Sequence, residues 1–557
     1  MKRQSLLAIA ALLTLALVVC AGCKKGESKT TTTAGTKTPI TFTFYNDDAT
    51  EDMPFTDPVA RKITEATGVT LKVDRPVGGD QQAIPIMIAS GQLPDLIFAK
   101  GQLAMLVNEN LVVKMDDLIE KRGKNIKETY AGVLNRLRNT TEDPYIYNLG
   151  SYDVKTAVWS TDGTMQIQHA VLKDQGYPRM KTLEDYEKAI KAYKAKYPTI
   201  NGRPTIGFSL LIDTWQWYID LSNPSMFLAG YKGDDGQWYV DQNTLDAYYK
   251  FQNPNAKYYY QWLNRMYHEG VLDRESFTQT QDEWQAKIAQ GRVLGIAYPG
   301  WGYGEARQSL INEGRQERTY AYLPIQIDER FTPGTTADPG FSGGYGIAIT
   351  TSCKDPERAL EFLDWMASEE ACILREWGIE GVNYDYVNRD GKRVRVQKEQ
   401  DRLDRISDPN YGRKTGIGLW YHPFPRRGTG WIDSTGNYIT TTTPDLIKQN
   451  FLDVERETLA AYGAEMWTDL FPPSASLGIS RHGQAWQYTL PPDLQAKTSE
   501  ADDYIKTALS NIVIGPQNNF DAAWEKIQND LKAMGIDEAN KALTALVKDK
   551  VKLWESK

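Results

Sequence analysis

The sequence predicts an α/β protein of two or more lobes, and three observations carry that expectation. Its 557 residues exceed what one hydrophobic core organises. From Ile40 to Phe98 the apolar pattern switches between period two and helical spacing in the order β-α-β-α-β, which implies a parallel sheet with right-handed crossovers. No segment recurs at a fixed period, which sets aside a solenoid. Composition narrows the class further. Aromatics make up 11% of the chain, too many for a disordered polymer. Lys+Arg 64 against Asp+Glu 72 leaves a net charge of −8, and that total gives no support for the basic face a nucleic-acid partner requires.

Taken in chain order, the first element is a leader. Lys2 and Arg3 precede an apolar run from Leu6 to Ala21, shorter than the roughly 20 residues a membrane span needs. A basic start, a short apolar middle and small residues at the cut describe a secretory signal over residues 1–22. Ala21-Gly22-Cys23 resembles a bacterial lipobox, with Cys20 where a leucine is usual, so Cys23 is the expected lipidation site. Residues 23–38, rich in Thr, Lys and Gly, form a flexible tether. The alternative is an ordinary secretory cut nearby.

Ile40, Phe42 and Phe44 alternate with Thr41 and Thr43 as a strand. Asp57-Pro58 then caps a helix carrying Val59, Ile63 and Ala66, which Gly68 stops. Val69, Leu71 and Val73 form the second strand. A helix through Ile84, Ile86 and Met87 ends near Gly91, and Asp95 opens a third strand. Farther on, Thr182 to Ile190 and Tyr258 to Tyr267 read as helices, and Gly344 to Thr350 as a strand. Asp355-Pro356 caps a helix with Leu360, Leu363 and Met366 on one face. Two amphipathic helices end the chain, one with Trp524, Ile527, Leu531 and Met534, the other with Leu543 and Leu546.

Motifs for chemistry are sparse. The four histidines, His169, His268, His422 and His482, form no H-E-x-x-H, and C-x-x-C and P-loop patterns are absent. Gly300-Trp-Gly-Tyr-Gly304 lacks dinucleotide-binding spacing and does not clearly open a helix. Gly340-Phe-Ser342-Gly-Gly344 fits G-x-S-x-G, but a loop precedes the serine and a strand follows, the reverse of a nucleophile elbow. Cys353 and Cys372 could pair; two buried thiols fit a chain with so few cysteines better.

Aromatic chemistry is richer. There are 31 Tyr and 15 Trp against 15 Phe, an excess of rings with a polar handle. They cluster in segments that read as loops: Trp215-Gln-Trp217-Tyr218, Tyr298 to Tyr303, and Tyr345. A Trp face fits the C–H face of a pyranose, while Asn, Asp and Gln suit its hydroxyls. Ordinary packing is the alternative for any one of these rings.

Several stretches resemble a known family. Ala89-Ser-Gly-Gln-Leu-Pro-Asp-Leu-Ile97, Tyr267-His-Glu-Gly-Val-Leu-Asp273, Lys354 to Met366, Trp377-Gly-Ile-Glu-Gly-Val-Asn-Tyr384 and Leu531-Lys-Ala-Met-Gly535 are similar to segments of family 1 extracellular solute-binding proteins. The resemblance is greatest to the lipoprotein subgroup of aldouronate and oligosaccharide ABC importers. It implies a two-lobed periplasmic-binding-protein-like fold of type II, with crossover hinge strands and a ligand cleft between the lobes. The expected boundaries are 39–158 plus 344–390 for lobe 1 and 159–343 plus 391–557 for lobe 2. It also implies a non-catalytic carbohydrate receptor, monomeric, lipid-anchored outside the cytoplasm of a bacterial cell and docking on ABC permease subunits. An oligopeptide receptor and a secreted carbohydrate-active enzyme are the rivals. Many relatives carry a calcium loop after the helix that Tyr186–Lys196 matches; here Tyr197 to Thr205 holds no carboxylate, so no metal or cofactor is expected.

Ligands of open α/β sheets sit beyond the carboxyl ends of strands, which nominates Tyr45, Asn46 and Asp47. Loop position and ring chemistry nominate Trp215, Trp217, Trp301 and Tyr303 from the second lobe, and Tyr345 beside a crossover.

Overall fold

The alternation that begins at Ile40 forms β1 (Ile40–Asn46), with Phe42 and Phe44 buried. In this computed structural model, residues 38–76, 82–161 and 163–556 are described. The leader, Cys23 and the tether up to residue 37 lie outside the described residues.

Asp57 accepts from the Ala60 amide at 2.8 Å, Pro58 occupies the first helical position, and Gly68 at φ 70° ends the helix Pro58–Thr67. β2 (Val69–Asp74) and β3 (Leu96–Phe98) flank β1 in parallel, with Phe44 paired to both Val73 and Leu96. The helix Ala83–Ser90 lies between β2 and β3 in sequence and ends at Gly91 in the left-handed region. β4 (Leu149–Gly150) completes the outgoing part of this sheet.

The chain then builds a second sheet from β5 (Met165–Gln168) onward. The helix Leu183–Lys196 starts at Thr182 with a reciprocal cap to Asp185. It leads into a hairpin of β6 (Thr199–Ile200) and β7 (Arg203–Pro204). Asn201 and Gly202, at φ 51° and 72°, make the two-residue turn that the right-handed strand twist favours. β8 (Ile206–Phe208), a small hairpin of β9 (Trp238–Val240) and β10 (Ala247–Tyr249), β11 (Val293–Ile296) and β12 (Tyr320–Leu323) follow. The second sheet has the order β12-β5-β11-β8.

β13 (Gly346–Ile349) returns to the first sheet and pairs antiparallel with β3 and β4, giving the order β2-β1-β3-β13-β4. The helix Pro356–Met366 follows, capped by Asp355. Cys353 and Cys372 are both buried and unpaired.

The second expected crossing is misplaced in the sequence reading. Residue 390 is the tip of a hairpin of β14 (Tyr384–Arg389) and β15 (Lys392–Gln397), and the chain stays with the first lobe beyond it. Ile417, Trp420 and Phe424 belong to the first core, where Phe424 lies 5.8 Å from Phe44 and 5.9 Å from Phe362 between ring centres. The Trp420 indole donates to Asp57 at 2.7 Å. The chain reaches the second core by the helix Asp453–Tyr462, where Thr458 meets His169 Nδ1 at 2.7 Å. The shift from 390 reflects a core residue set spaced too irregularly to show a period.

Three helices close the second lobe. Phe520–Ala533 and Ile536–Glu555 match expectation, and a 23-residue helix, Pro492–Ile514, precedes them. Their apolar faces join one large core with Tyr259, Tyr260 and Trp262 of the helix Ala256–His268. Among the described residues no helix is long and apolar enough to cross a membrane.

Candidate ligand cleft

Two cavities lie near the passages between the lobes. One, of about 470 Å³, is lined by the first passage at Thr156–Val158, by the later passage at Thr429 and Thr442, and by second-lobe side chains including Asp234, Lys250 and Trp301. The other, of about 760 Å³, opens off the end of β1, where Asn46, Asp48 and His422 line it.

An aromatic row adjoins the larger cavity through His422. Tyr152 meets His422 at 5.5 Å and Trp486 at 5.4 Å, and Trp486 meets Tyr345 at 4.9 Å, all edge-to-face. His422 in turn packs edge-on against Phe98 at 4.9 Å. The row joins residues from both lobes and from two passages. Tyr345 sits at φ 49°, a conformation bulky residues rarely hold unless their surroundings impose it. Its hydroxyl is pushed up to about 12 by burial and by the nearby Asp47 and Asp48. Burial and the Arg426 and Lys100 charges bring His422 down to about 4, against the opposing pull of Asp48, so its ring is neutral at pH 7. The Trp486 indole N–H has no acceptor among the described residues.

The eight side chains nominated from sequence divide. Trp215 and Trp301 are 48% and 60% exposed, and their rings stack at 5.9 Å and 21°. Trp301 lines the smaller cavity. Asn46 lines the larger one, with its side-chain oxygen accepting from the Asp48 amide at 3.0 Å. Asp47 follows β1 and accepts from the Tyr45 hydroxyl at 3.1 Å.

Three others are core residues and need correcting as cleft rings. Tyr45 is 2% exposed and packs with Ile84, Ile97 and Leu103. Trp217 is 3% exposed, stacked near Phe251 in the second core. Tyr303 is 1% exposed and donates to the Gln166 side chain. Each carries a polar handle because a buried ring with one needs a partner, so the handle alone does not distinguish cleft from core. The run Gly300–Gly304 also differs from expectation: it does open a helix, Gly304–Asn312, after β11. Ser342 is 4% exposed, and its hydroxyl accepts from the Gln484 amide at 2.9 Å, a structural bond.

Sequence reasoning missed Tyr152, Asp234, Lys250, His422 and Trp486. Lys250 is 1% exposed, and its ammonium donates to Asn223 at 2.9 Å. Burial brings it down to about 8, resisted by Asp234, Asp502 and Asp235. Asn223 also donates to Asp234 at 3.5 Å, so lysine, amide and carboxylate form a line ending at the cavity. Asp234 is held above the usual carboxylate range by burial, with Lys250 opposing. The arrangement offers aromatic faces, a carboxylate and amides around a cavity, which is binding chemistry.

Residues 59–375, more than half of the chain, match the model of the bacterial extracellular solute-binding protein family. The chain belongs to that family. The fructooligosaccharide ABC transporter substrate-binding protein FusA of Streptococcus pneumoniae serotype 4 is 24% identical over 577 aligned residues, covering 97% of each chain. Lipoprotein LipO of Bacillus subtilis (strain 168) is 22% identical over 398 residues, 70% of this chain and 76% of LipO. The crystal structure of the alginate-binding protein AlgQ2 superposes with a TM-score of 0.63 at 16% identity, over 92% of this chain and 99% of AlgQ2. These likenesses show a two-lobed solute-binding fold.

Proposed function

We propose that this protein captures an extracellular oligosaccharide in the cleft and delivers it to the membrane subunits of an ABC importer. The observation that carries this reading is the exposed Trp215–Trp301 stack, of which Trp301 lines a cavity walled by Asp234 and amide side chains. A solvent-exposed pair of indoles forgoes the burial that normally holds such rings, and a sugar face supplies it. FusA, which aligns over nearly the whole chain, is named for fructooligosaccharide, and that supports the same substrate class. Tight closure of two lobes around a ligand is an established device for such receptors.

The test is calorimetry of the purified protein with oligosaccharide panels, followed by product analysis. Binding without product supports the receptor; steady turnover supports the enzyme. The proposal also places a monomeric body on a lipid anchor at Cys23, outside the cytoplasm. Cys23→Ser should release the protein from the membrane fraction, and unchanged fractionation would put the anchor elsewhere.

A further inference from the structure

The smaller cavity carries charge that bears on which oligosaccharide fits. Its charged lining residues are Lys232, Asp234, Asp235 and Lys250, and among the described lining residues there is no arginine. Asp235 already accepts three hydrogen bonds, from the Val240 amide at 3.3 Å, the Ala485 amide at 3.0 Å and His482 Nε2 at 2.9 Å. Lys232 donates to the Leu477 carbonyl at 2.6 Å. Lys250 is 1% exposed, and its ammonium is bonded to Asn223. Asp234 differs from these. It accepts from the Gly236 amide at 2.8 Å and, at 3.5 Å, from Asn223, while a carboxylate offers about four acceptor positions.

The cations around the aromatic row are likewise committed to acids. Lys100 lies 2.5 Å from Asp48, and Arg426 is paired with Asp153. Burial above all holds the Tyr152 hydroxyl in its neutral form, and the charges of Asp48 and Asp234 add to that effect. Such a surface suits donors. A pair of sugar hydroxyls can fill the open positions on Asp234, whereas a uronate carboxylate would meet Asp234 with no guanidinium to fork it.

We propose that the cleft selects uncharged oligosaccharides and rejects uronate-bearing ones, with Asp234 as the hydroxyl acceptor that sets the choice. The inference rests on the carbohydrate reading above and narrows it. Asn223, held by Lys250, acts as a positioning residue that fixes the carboxylate.

The experiment uses the detergent-solubilised full chain and two length-matched panels. One holds neutral fructo-, gluco- and manno-oligosaccharides; the other holds alginate and aldouronate oligomers. Calorimetry should find binding in the neutral panel alone. Asp234→Asn should weaken the neutral ligand about 10-fold or more, the loss expected when a hydrogen bond to a charged group is removed. The same variant should improve uronate binding, and added salt should do so for the parent by screening the repulsion. Equal or tighter uronate binding by the parent would overturn the proposal, as would an Asp234→Asn variant that melts normally and binds both panels unchanged. Silence from both panels with a folded parent would instead overturn the carbohydrate reading beneath it.

Discussion

At the scale of single residues, exposure separates rings that serve the fold from rings free to serve a ligand. Trp301 is 60% exposed, so Trp301→Ala should leave the melting temperature nearly unchanged. It should weaken the ligand by roughly 1–3 kcal/mol, about 5- to 150-fold, by analogy with burying a large apolar side chain. Trp217→Ala should do the opposite, costing about 3–5 kcal/mol of folding stability through the cavity it leaves. Calorimetry and thermal melts on the two variants check both halves. A second residue governs acid stability. His169 is fully buried and bonded to Thr458, and burial brings it from 6.5 down to about 3. The unfolded chain therefore binds a proton that the folded one refuses between those values. His169 contributes stability above pH 6.5 that is lost as pH falls toward 3, at about 1.4 kcal/mol per unit. Urea unfolding of the parent and His169→Gln at pH 7.5 and pH 5.0 should show the gap between them shrink by about 2 kcal/mol on acidification. A constant gap would show that His169 titrates normally.

At the scale of elements, helix ends were the most legible feature because their chemistry is local. Asp57-Pro58, Gly68, Thr182, Gly91 and Asp355 all terminate helices where their side chains or backbone freedom require. The helix Pro492–Ile514 escaped because its buried positions, from Leu494 through Ala501 and Ile505 to Val513, are interrupted by Asp502 and Thr498, which are also buried. Asp502 is satisfied only in three dimensions, by Tyr249, Gln237 and Tyr218, from more than 250 residues away in each case. The cleft shows the same division. Trp215, Trp301 and Asn46 could be nominated from local context, but Tyr152, His422 and Trp486 meet only because segments far apart in sequence converge. Asp57 tests how far a local cap reaches. It serves the Ala60 amide and also receives the Trp420 indole. Asp57→Ala should cost about 2–4 kcal/mol, combining a lost cap of about 1 with an orphaned buried donor of about 1–3. A loss of 1 kcal/mol or less in urea unfolding would mean that Trp420 finds another acceptor.

For the whole molecule, the question is what holds the two lobes in register around the cavity. The first passage and the later one at Thr429 are zipped together: Lys155 N donates to Arg427 O at 3.1 Å and Ala157 N to Thr429 O at 3.0 Å. Asp153 reinforces the seam by accepting from the Thr429 amide at 3.0 Å and its hydroxyl at 3.1 Å. Thr156–Val158 and Thr429 also line the cavity, so the seam that connects the lobes is part of the cavity wall. Gly430 makes this approach possible. It holds φ 85°, and a Cβ there would lie 2.7 Å from the Ala157 Cβ, closer than real side chains come. Gly430→Ala therefore meets two obstacles at once, a left-handed backbone costing about 1–2 kcal/mol for an L-residue and a clash that parts the seam. Folding stability and ligand affinity should fall together in this variant, whereas Trp301→Ala should lower affinity alone. Hydrogen exchange at Lys155 and Ala157 should quicken in Gly430→Ala, since their amides lose their acceptors. If exchange there is unchanged and the ligand binds as tightly as to the parent, the seam does not set the geometry of the cleft, and the lobes are held by their cores alone.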